Sequence, residues 1–359
     1  MKPKRKAISL LLLLLTALLY LLALLCRFSV LLPPEPETAW MLFGLATPAV
    51  LAANLAALLG WLAARRWLAA LIPLAAIAAH AGYVASTVRL PHTPAAPHEE
   101  EIRIATLNCY GFRYRDEVEI TVRNVAETIL EERIDILCMQ EFGASAACPA
   151  DSIASRLARS GLRYMVRKNE AAVASRYPIL SHRYTRFPES GNDCLQADIA
   201  AGDDTLRLFS VHLQTTGLHQ LRPADGATDD RSLPVREAID ALTHNGAIRV
   251  EQARTVRDAI DASPYPVILA GDFNETPSSY IYRLLRQGLV DGFREAGSGY
   301  GGTFRFLGVP LRIDFIFHDQ RLRSVDYRTL PYPLSDHRAV VSTLRQGNAA
   351  EKPRRSGGA

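Results

Sequence analysis

Hydrophobic and polar positions divide the chain sharply. Behind Lys2, Lys4, Arg5 and Lys6 runs an uncharged stretch from Ile8 to Cys26. A second apolar stretch extends from about Trp40 to Ala64, and a third from Trp67 to about Ala85. Each reaches the roughly 20 residues with which a helix spans a bilayer, and backbone groups in lipid must find their partners within the segment. Three transmembrane helices, over about 8–26, 40–64 and 67–85, are the expectation. The first run also has the basic start and leucine-rich centre of a signal peptide. Against that, it ends in Cys26-Arg27 without a small-residue cleavage pattern, and two more apolar runs follow.

Beyond residue 86 the pattern changes. Pro91, Pro94 and Pro97, followed by Glu99-Glu100-Glu101, form a stiff, solvated tether. Ile102 to Asn108 alternates as a strand does, and Ile134 to Glu141 is an almost wholly apolar strand with a polar end. Between them Ile120, Val122, Val125, Ile129 and Leu130 make a helical stripe. Further strands are expected at Tyr164–Arg167, Ala171–Ser175, Leu195–Ile199, Leu206–His212, Pro266–Ala270, Leu311–Phe317, Arg323–Tyr327 and Leu334–Val341, with helices near 151–159, 248–262 and 279–285. Strands interleaved with helices predict a layered α/β domain. The organisation is thus a membrane anchor over 1–86, a linker over 87–100, a soluble domain over 101–345 and a polar, disordered tail over 346–359.

Composition adds orientation rather than a partner. The 359 residues carry a net charge of +4 with acids and bases nearly balanced, so charge alone selects no nucleic acid. The basic N-terminus and Arg65-Arg66 belong on the cytoplasmic side, and the loop holding Glu35 and Glu37 on the outer side. Three crossings then place the soluble domain in the periplasm or exterior. His80, inside the third run, is expected to hydrogen-bond a neighbouring helix. Cys109 and Cys138 read as buried thiols, whereas Cys148 and Cys194 leave a pairing open. No protein partner is indicated.

The chemistry gathers at strand ends. Asn108, Glu141, His212, Asp272 with Asn274, Asp314, and Asp336 with His337 all stand at the end of an apolar run or in the adjoining turn. Singly, each has a bland reading: an Asp- and Asn-rich turn also follows strands for structural reasons. Asp314, between Ile313 and Phe315, is harder to dismiss, because a buried carboxylate is costly unless paired. A histidine is its natural partner.

The order Leu-Asn, Gln-Glu, His-Leu, Gly-Asp-Phe-Asn, Arg-Ile-Asp-Phe-Ile and Ser-Asp-His resembles the endonuclease/exonuclease/phosphatase superfamily. Pancreatic-type deoxyribonuclease, abasic-site endonucleases, inositol polyphosphate phosphatases and neutral sphingomyelinases belong to it. The resemblance covers about 101–345 and implies a four-layer α/β sandwich, two mixed sheets flanked by helices. It further implies hydrolysis of a phosphodiester, in a nucleic acid or a phospholipid headgroup, with magnesium, or manganese in its place. On these terms Glu141 is the best metal ligand, with Asn108 beside it and Asp336 as a candidate in a second position. Asp272 prepares the attacking water, and Asn274 steadies it or a phosphoryl oxygen. His337, oriented by Asp314, contacts the phosphate, and His212 is a phosphate ligand or general acid. Arg176, in Ser175-Arg176-Tyr177-Pro178, reads as part of a turn, and Arg249 and Gln252 as scaffold contacts. The irregular segment from Thr215 to Gly246 is where specificity is expected. The reading from another class is a non-catalytic, membrane-anchored binding module on the same fold.

The topology is testable directly. Alkaline phosphatase fused after residue 345 should be active outside the cytoplasm, and a cytoplasmic signal would reverse the orientation.

Overall fold

A computed structural model describes residues 3–35, 40–91, 101–146, 148–202, 204–217, 235–306, 308–331 and 334–346. Most of the linker, the middle of the irregular segment (218–234) and the tail beyond 346 lie outside the described residues. The chain forms two compact units that are not contiguous in sequence. One comprises Met1–Ala85, Thr215–Ala253 and Glu275–Leu284; the other comprises Ser86–Gln214, Arg254–Asn274 and Leu285–Ala359.

In the first unit, helices α1 (Pro3–Ser29), α2 (Trp40–Ala63) and α3 (Trp67–Ala79) pack on one another. The Trp61 indole donates to the Thr16 hydroxyl at 3.0 Å, and the Asn54 amide donates to the Leu19 carbonyl at 3.4 Å. Leu10, Leu11, Leu14 and Leu18 of α1 remain exposed. Among the described residues, two helices are long and apolar enough to cross a membrane: residues Ala7–Ser29 of α1, with a mean hydropathy of 2.8, and α2, with 1.9.

The third expected span is not one continuous helix. With 13 residues, α3 extends only about 20 Å, short of a hydrocarbon core of about 30 Å. It stops at His80, whose N–H turns back to the Ile77 carbonyl and whose Nδ1 lies 3.0 Å from the Ala76 oxygen. A side chain bonded to the preceding turn competes with the helical ladder. His80 therefore engages its own helix rather than a neighbour, and a short α4 (Ala81–Ala85) follows the break. Elsewhere in this unit Arg249 forms a buried ion pair with Glu275 at 2.8 Å, and Ser278 donates to the Gly44 carbonyl at 2.8 Å.

The second unit contains two mixed six-stranded sheets flanked by helices, as expected of an α/β sandwich. In chain order it opens with β1 (Val88–Arg89), β2 (Ile102–Asn108), α5 (Val118–Glu131), β3 (Ile136–Gln140) and α6 (Ala150–Arg159). Next come β4 (Tyr164–Lys168), β5 (Ala171–Ser175), β6 (Ile179–Arg186), β7 (Asp193–Ala201) and β8 (Asp204–His212). The end of helix α7 (Val235–Asp261), most of which belongs to the first unit, leads to β9 (Val267–Asp272), and after α8 (Tyr280–Leu285), also largely of the first unit, come β10 (Leu289–Asp291) and α9 (Gly292–Ala296). The chain closes with β11 (Gly299–Tyr300), β12 (Phe304–Phe306), β13 (Val309–Leu311), β14 (Asp314–Asp319), β15 (Leu322–Thr329) and β16 (Val340–Gln346). One sheet has the order β15-β16-β2-β3-β5-β4, the other β10-β14-β9-β8-β7-β6.

Alternation along the strands builds two apolar layers. Ile104, Ile136, Cys138 and Val173 join Leu195, Ala197, Leu208, Ile268, Ala270 and Ile316 in one cluster drawn from both sheets. Ala105, Leu107, Leu137 and Met139 alternate with the first set and pack with Val122, Val125 and Ile129 of α5 and Ile153 and Leu157 of α6. All five cysteines are buried free thiols. Cys148 belongs to the helix-side cluster and Cys194 to β7, so the pairing left open by sequence is not formed. Arg176 binds Asp135 at 3.0 Å, the turn contact expected of it.

Each sheet contains one parallel pair, β2 with β3 and β8 with β9, and parallel strands end on the same side. Gly271 makes the second pairing feasible. Its φ is +144°, and a Cβ there would collide with the Val211 carbonyl. Gly271→Ala combines a strained backbone with overpacking and should cost about 3 kcal/mol. Differential scanning calorimetry should show Tm lowered by several degrees; an unchanged Tm would mean that β8 and β9 tolerate separation.

Candidate active site

Strand pairing brings the polar ends together. Asn108 is the register partner of Gln140, and His212 of Asp272, across the two parallel pairs. The antiparallel β14 starts where β9 finishes, so Asp314 faces Asp272. His337 lies just before β16 and bridges to Phe304 of β12, whose ring packs 4.7 Å from the imidazole.

The Asn108 amide joins the two sheets, donating to Glu141 Oε1 at 2.9 Å and to Asp272 Oδ2 at 3.1 Å. His337 Nδ1 lies 2.9 Å from Asp314 Oδ2, and its Nε2 faces Asp272 Oδ2 at 3.7 Å. His212 Nε2 stands between Glu141 Oε1 at 3.7 Å and Asp272 Oδ2 at 3.8 Å, with no hydrogen-bond partner among the described residues. Asn108, Glu141, His212, Asp272, Asp314 and His337 thus form one cluster. Asn274 adjoins it differently: its backbone N–H donates to Asp272 Oδ1 at 2.8 Å and its side chain to the Leu213 carbonyl at 3.0 Å. Asp336 is exposed, accepts from the Ser335 hydroxyl at 3.0 Å, and stays outside the cluster's hydrogen bonds.

The cluster holds its protons unevenly. Burial alone would lower the His337 pKa, but the carboxylates of Asp314 and Asp272 outweigh it and raise it to about 10. Burial raises Asp272 to about 6, with Asp314 adding to the rise while the two imidazoles and the Asn274 N–H oppose it. Burial lowers His212, only partly offset by Asp272. At neutral pH the arrangement is an imidazolium at His337, a neutral imidazole at His212 and a largely ionised Asp272. The backbone is strained at the same place: Glu141 and Asn274 sit at φ of +49° and +50°, a region few residues other than glycine adopt.

Sequence reasoning missed the supports beneath these groups. Gln140 spans the sheets, accepting from Thr106 at 3.2 Å and donating to Ser210 at 3.0 Å. Ser210 was visible only as a lone hydroxyl in an apolar strand. Thr303 accepts the backbone N–H groups of Ile313 and Asp314, fixing the start of β14. Arg312, in the same motif as Asp314, is fully buried and holds Asp291 at 2.8 Å under the rings of Phe293 and Phe315. Glu170 also lies near Glu141, and Asp193 near Glu170. Burial raises both, Asp193 to about 7, where Glu170 reinforces the rise and the Tyr184 hydroxyl opposes it.

Two groups of side chains among the described residues could receive a metal. Asp272, Asp314 and His337 offer ligand atoms within 4.8 Å of one another, and His337 would release its proton on ligating. Glu141 fits better: it is half-buried, and its second oxygen accepts no hydrogen bond among the described residues. One carboxylate with water suits a hard divalent ion. Asn108 turns its NH2 toward the acids and its oxygen toward the Tyr110 N–H at 3.1 Å, so it would have to rotate to ligate.

The endonuclease/exonuclease/phosphatase family model matches residues 105–337, well over half of the chain, from β2 to the histidine of the site. The chain belongs to that family. Its members are hydrolases acting on phosphodiester bonds and typically depend on divalent metal. No curated protein sequence matches the chain. Among solved structures, an endonuclease/exonuclease/phosphatase from Beutenbergia cavernae shares 21% identity with a TM-score of 0.52, over 69% of this chain and 72% of its own. A family protein from Leptotrichia buccalis shares 17% with a TM-score of 0.50, over 68% and 99%. TDP2 from D. rerio, solved with a single-strand DNA product, shares 16% with a TM-score of 0.50, over 69% and 100%. These likenesses concern the fold.

The protonation pattern can be observed without turnover. Histidine-selective NMR should find His337 doubly protonated at pH 8 and His212 neutral; Asp314→Asn should lower the His337 pKa. Because that pKa is raised from 6.5, the pairing stabilises the fold fully below pH 6.5 and is lost as pH rises through about 10. A neutral His337 at pH 8 would contradict the pairing.

Proposed function

We propose that this family member is a membrane-anchored, divalent-metal-dependent phosphoesterase that hydrolyses a phosphodiester by in-line attack of water. The observation that carries the reading is the His337–Asp314 pair facing Asp272 across 3.7 Å. That gap separates a hydrogen-bond donor for a phosphoryl oxygen from a carboxylate able to take a proton.

Asp272 orients and deprotonates the water, a contribution typically of about 10²–10⁴-fold in rate. The Asn274 N–H fixes the second Asp272 oxygen, so Asn274 acts by positioning the base. The His337 Nε2–H meets the phosphate, while Asp314 fixes the ring through Nδ1. His212, neutral and with an unengaged Nε2, donates a hydrogen bond to a second phosphoryl oxygen or to the leaving group. Magnesium or manganese held by Glu141, with Asn108 after rotation and Asp336 as further candidates, would supply charge neutralisation at the phosphate and leaving oxygen.

The anchor in this reading is the pair of long apolar helices; with a cytoplasmic basic N-terminus, two crossings bring Arg65-Arg66 back to the cytoplasmic side, and an outer catalytic unit requires the third apolar run to cross as well. Nucleic acid and phospholipid headgroups both present the required diester.

Asp272→Asn and His337→Ala should each reduce turnover by at least 10³-fold while leaving the circular dichroism spectrum unchanged. The assay panel is plasmid DNA, sphingomyelin, phosphatidylinositol phosphates and a chromogenic phosphodiester, with magnesium and with chelator. Near-normal turnover in either variant would remove the catalytic assignment. Absence of metal-dependent turnover on every substrate would favour a binding module.

A further inference from the structure

The edge of the catalytic unit beside His337 carries an apolar strip that the chemistry above does not use. Leu90 is 87% exposed, Val309 55%, Val88 49% and Tyr300 45%. Such exposure of large apolar side chains in one place marks an interaction surface. The residues are neighbours in structure. Val88 and Tyr300 are register partners of β1 and β11, so their side chains share a face, and Leu90 follows two residues on. The Tyr300 hydroxyl donates to the Pro310 carbonyl, next to Val309 on β13. Arg305 and Arg338 are exposed on the same hairpin and the adjoining loop.

Two connections give the strip its meaning. On one side it borders the site: β12 pairs with β13, its Phe304 packs on His337, and the Arg338 N–H donates to the Thr303 carbonyl at 2.7 Å. On the other side it follows the third apolar run, whose short α4 ends at Ala85. Val88 is three residues further on, a reach of about 10 Å at most. Within the catalytic unit, Arg312 donates to the Ser86 carbonyl at 2.7 Å and the Gly301 N–H to the Thr87 carbonyl at 3.1 Å, which holds the start of the strip in place.

We propose that the strip of Leu90, Val88, Tyr300, Pro310 and Val309 seats on the lipid bilayer and that the diester entering beside His337 is that of a phospholipid headgroup. The inference rests on the phosphoesterase reading for its substrate and on the apolar helices for its occupant. A surface joined within three residues to the apolar N-terminal segment meets lipid before any diffusing partner. Exposed apolar side chains with arginines at their margin suit the boundary between acyl chains and phosphates. Hydrolysis there adds water across one P–O bond: the alcohol leaves with a proton and the phosphate monoester keeps the water oxygen.

The test uses the full chain in phosphatidylcholine/phosphatidylglycerol proteoliposomes. A nitroxide is placed at Val309→Cys, with Leu180→Cys on the solvent-exposed β6 as reference. The expected result is that oxygen relaxes the label at 309 more than a nickel chelate does, with the order reversed at 180. Equal accessibility at the two positions would overturn the bilayer contact. So would shielding of 309 from both reagents, which would show that the linker or a second copy covers the strip. In parallel, Val309→Asp should lower hydrolysis of vesicle phospholipid at least tenfold and leave a soluble chromogenic phosphodiester unaffected. Equal loss on both substrates, or wild-type activity on the soluble ester alone, would overturn the lipid assignment. If the wild-type protein cleaves neither ester with magnesium, the phosphoesterase reading fails, and the nitroxide result still decides the surface.

Discussion

Two carboxylates and an imidazolium share one dry volume, and much of the catalytic unit is arranged to make that tolerable. Asp272 and Asp314 are 1% and 0% exposed. Isolated there, each would carry a desolvation cost of several kcal/mol. The proton on His337 compensates both, and the Asn108 amide and the Asn274 N–H occupy the remaining acid oxygens. Removing the imidazole leaves two acids facing each other, so positioning and charge balance are one function here. The same arrangement separates the two histidines. His337 is held charged by its neighbours, while His212, which lacks so close a carboxylate, is driven neutral by burial.

The geometry that gathers these groups is simple. One parallel pair in each sheet sends two strand ends the same way, and β14 enters beside one of them. Gly271 permits the close approach of β8 to β9, while Glu141 and Asn274 accept unfavourable backbone angles just beyond their strands. Strain therefore gathers where side chains must leave the pleat to point at a common centre. Gln140 and Ser210 fill the polar gap that remains between the sheets below that centre.

Much of this was legible in the residues. Apolar runs ending in Asn108, Glu141, His212 and Asp272 announced strands with working ends, and Asp314 within Ile313 and Phe315 announced a buried acid in need of a histidine. What period and motif could not show was side-chain direction. Asn274 carries the same amide whether it reaches a phosphate or the Leu213 carbonyl, and only the fold decides. Phe304 and Ser210 have no local signal, because their roles depend on partners far along the chain. The third apolar run failed for a different reason: hydropathy counts carbon and takes no account of the bond from His80 to Ala76 that helps end a helix after 13 residues. Asp336, adjacent to His337 in sequence, faces solvent, since neighbouring residues in an extended turn point apart.

Arg312 links two places that the sequence keeps far apart. Its guanidinium holds the Ser86 carbonyl, where the chain emerges from the apolar helices, and Asp291, while Asp314 stands two residues further along the same backbone. The rings of Phe293 and Phe315 and the acid of Asp291 hold this guanidinium in place. A chain trimmed to begin at residue 87 would therefore lose one partner of the side chain that stands two residues from the acid bonded to His337.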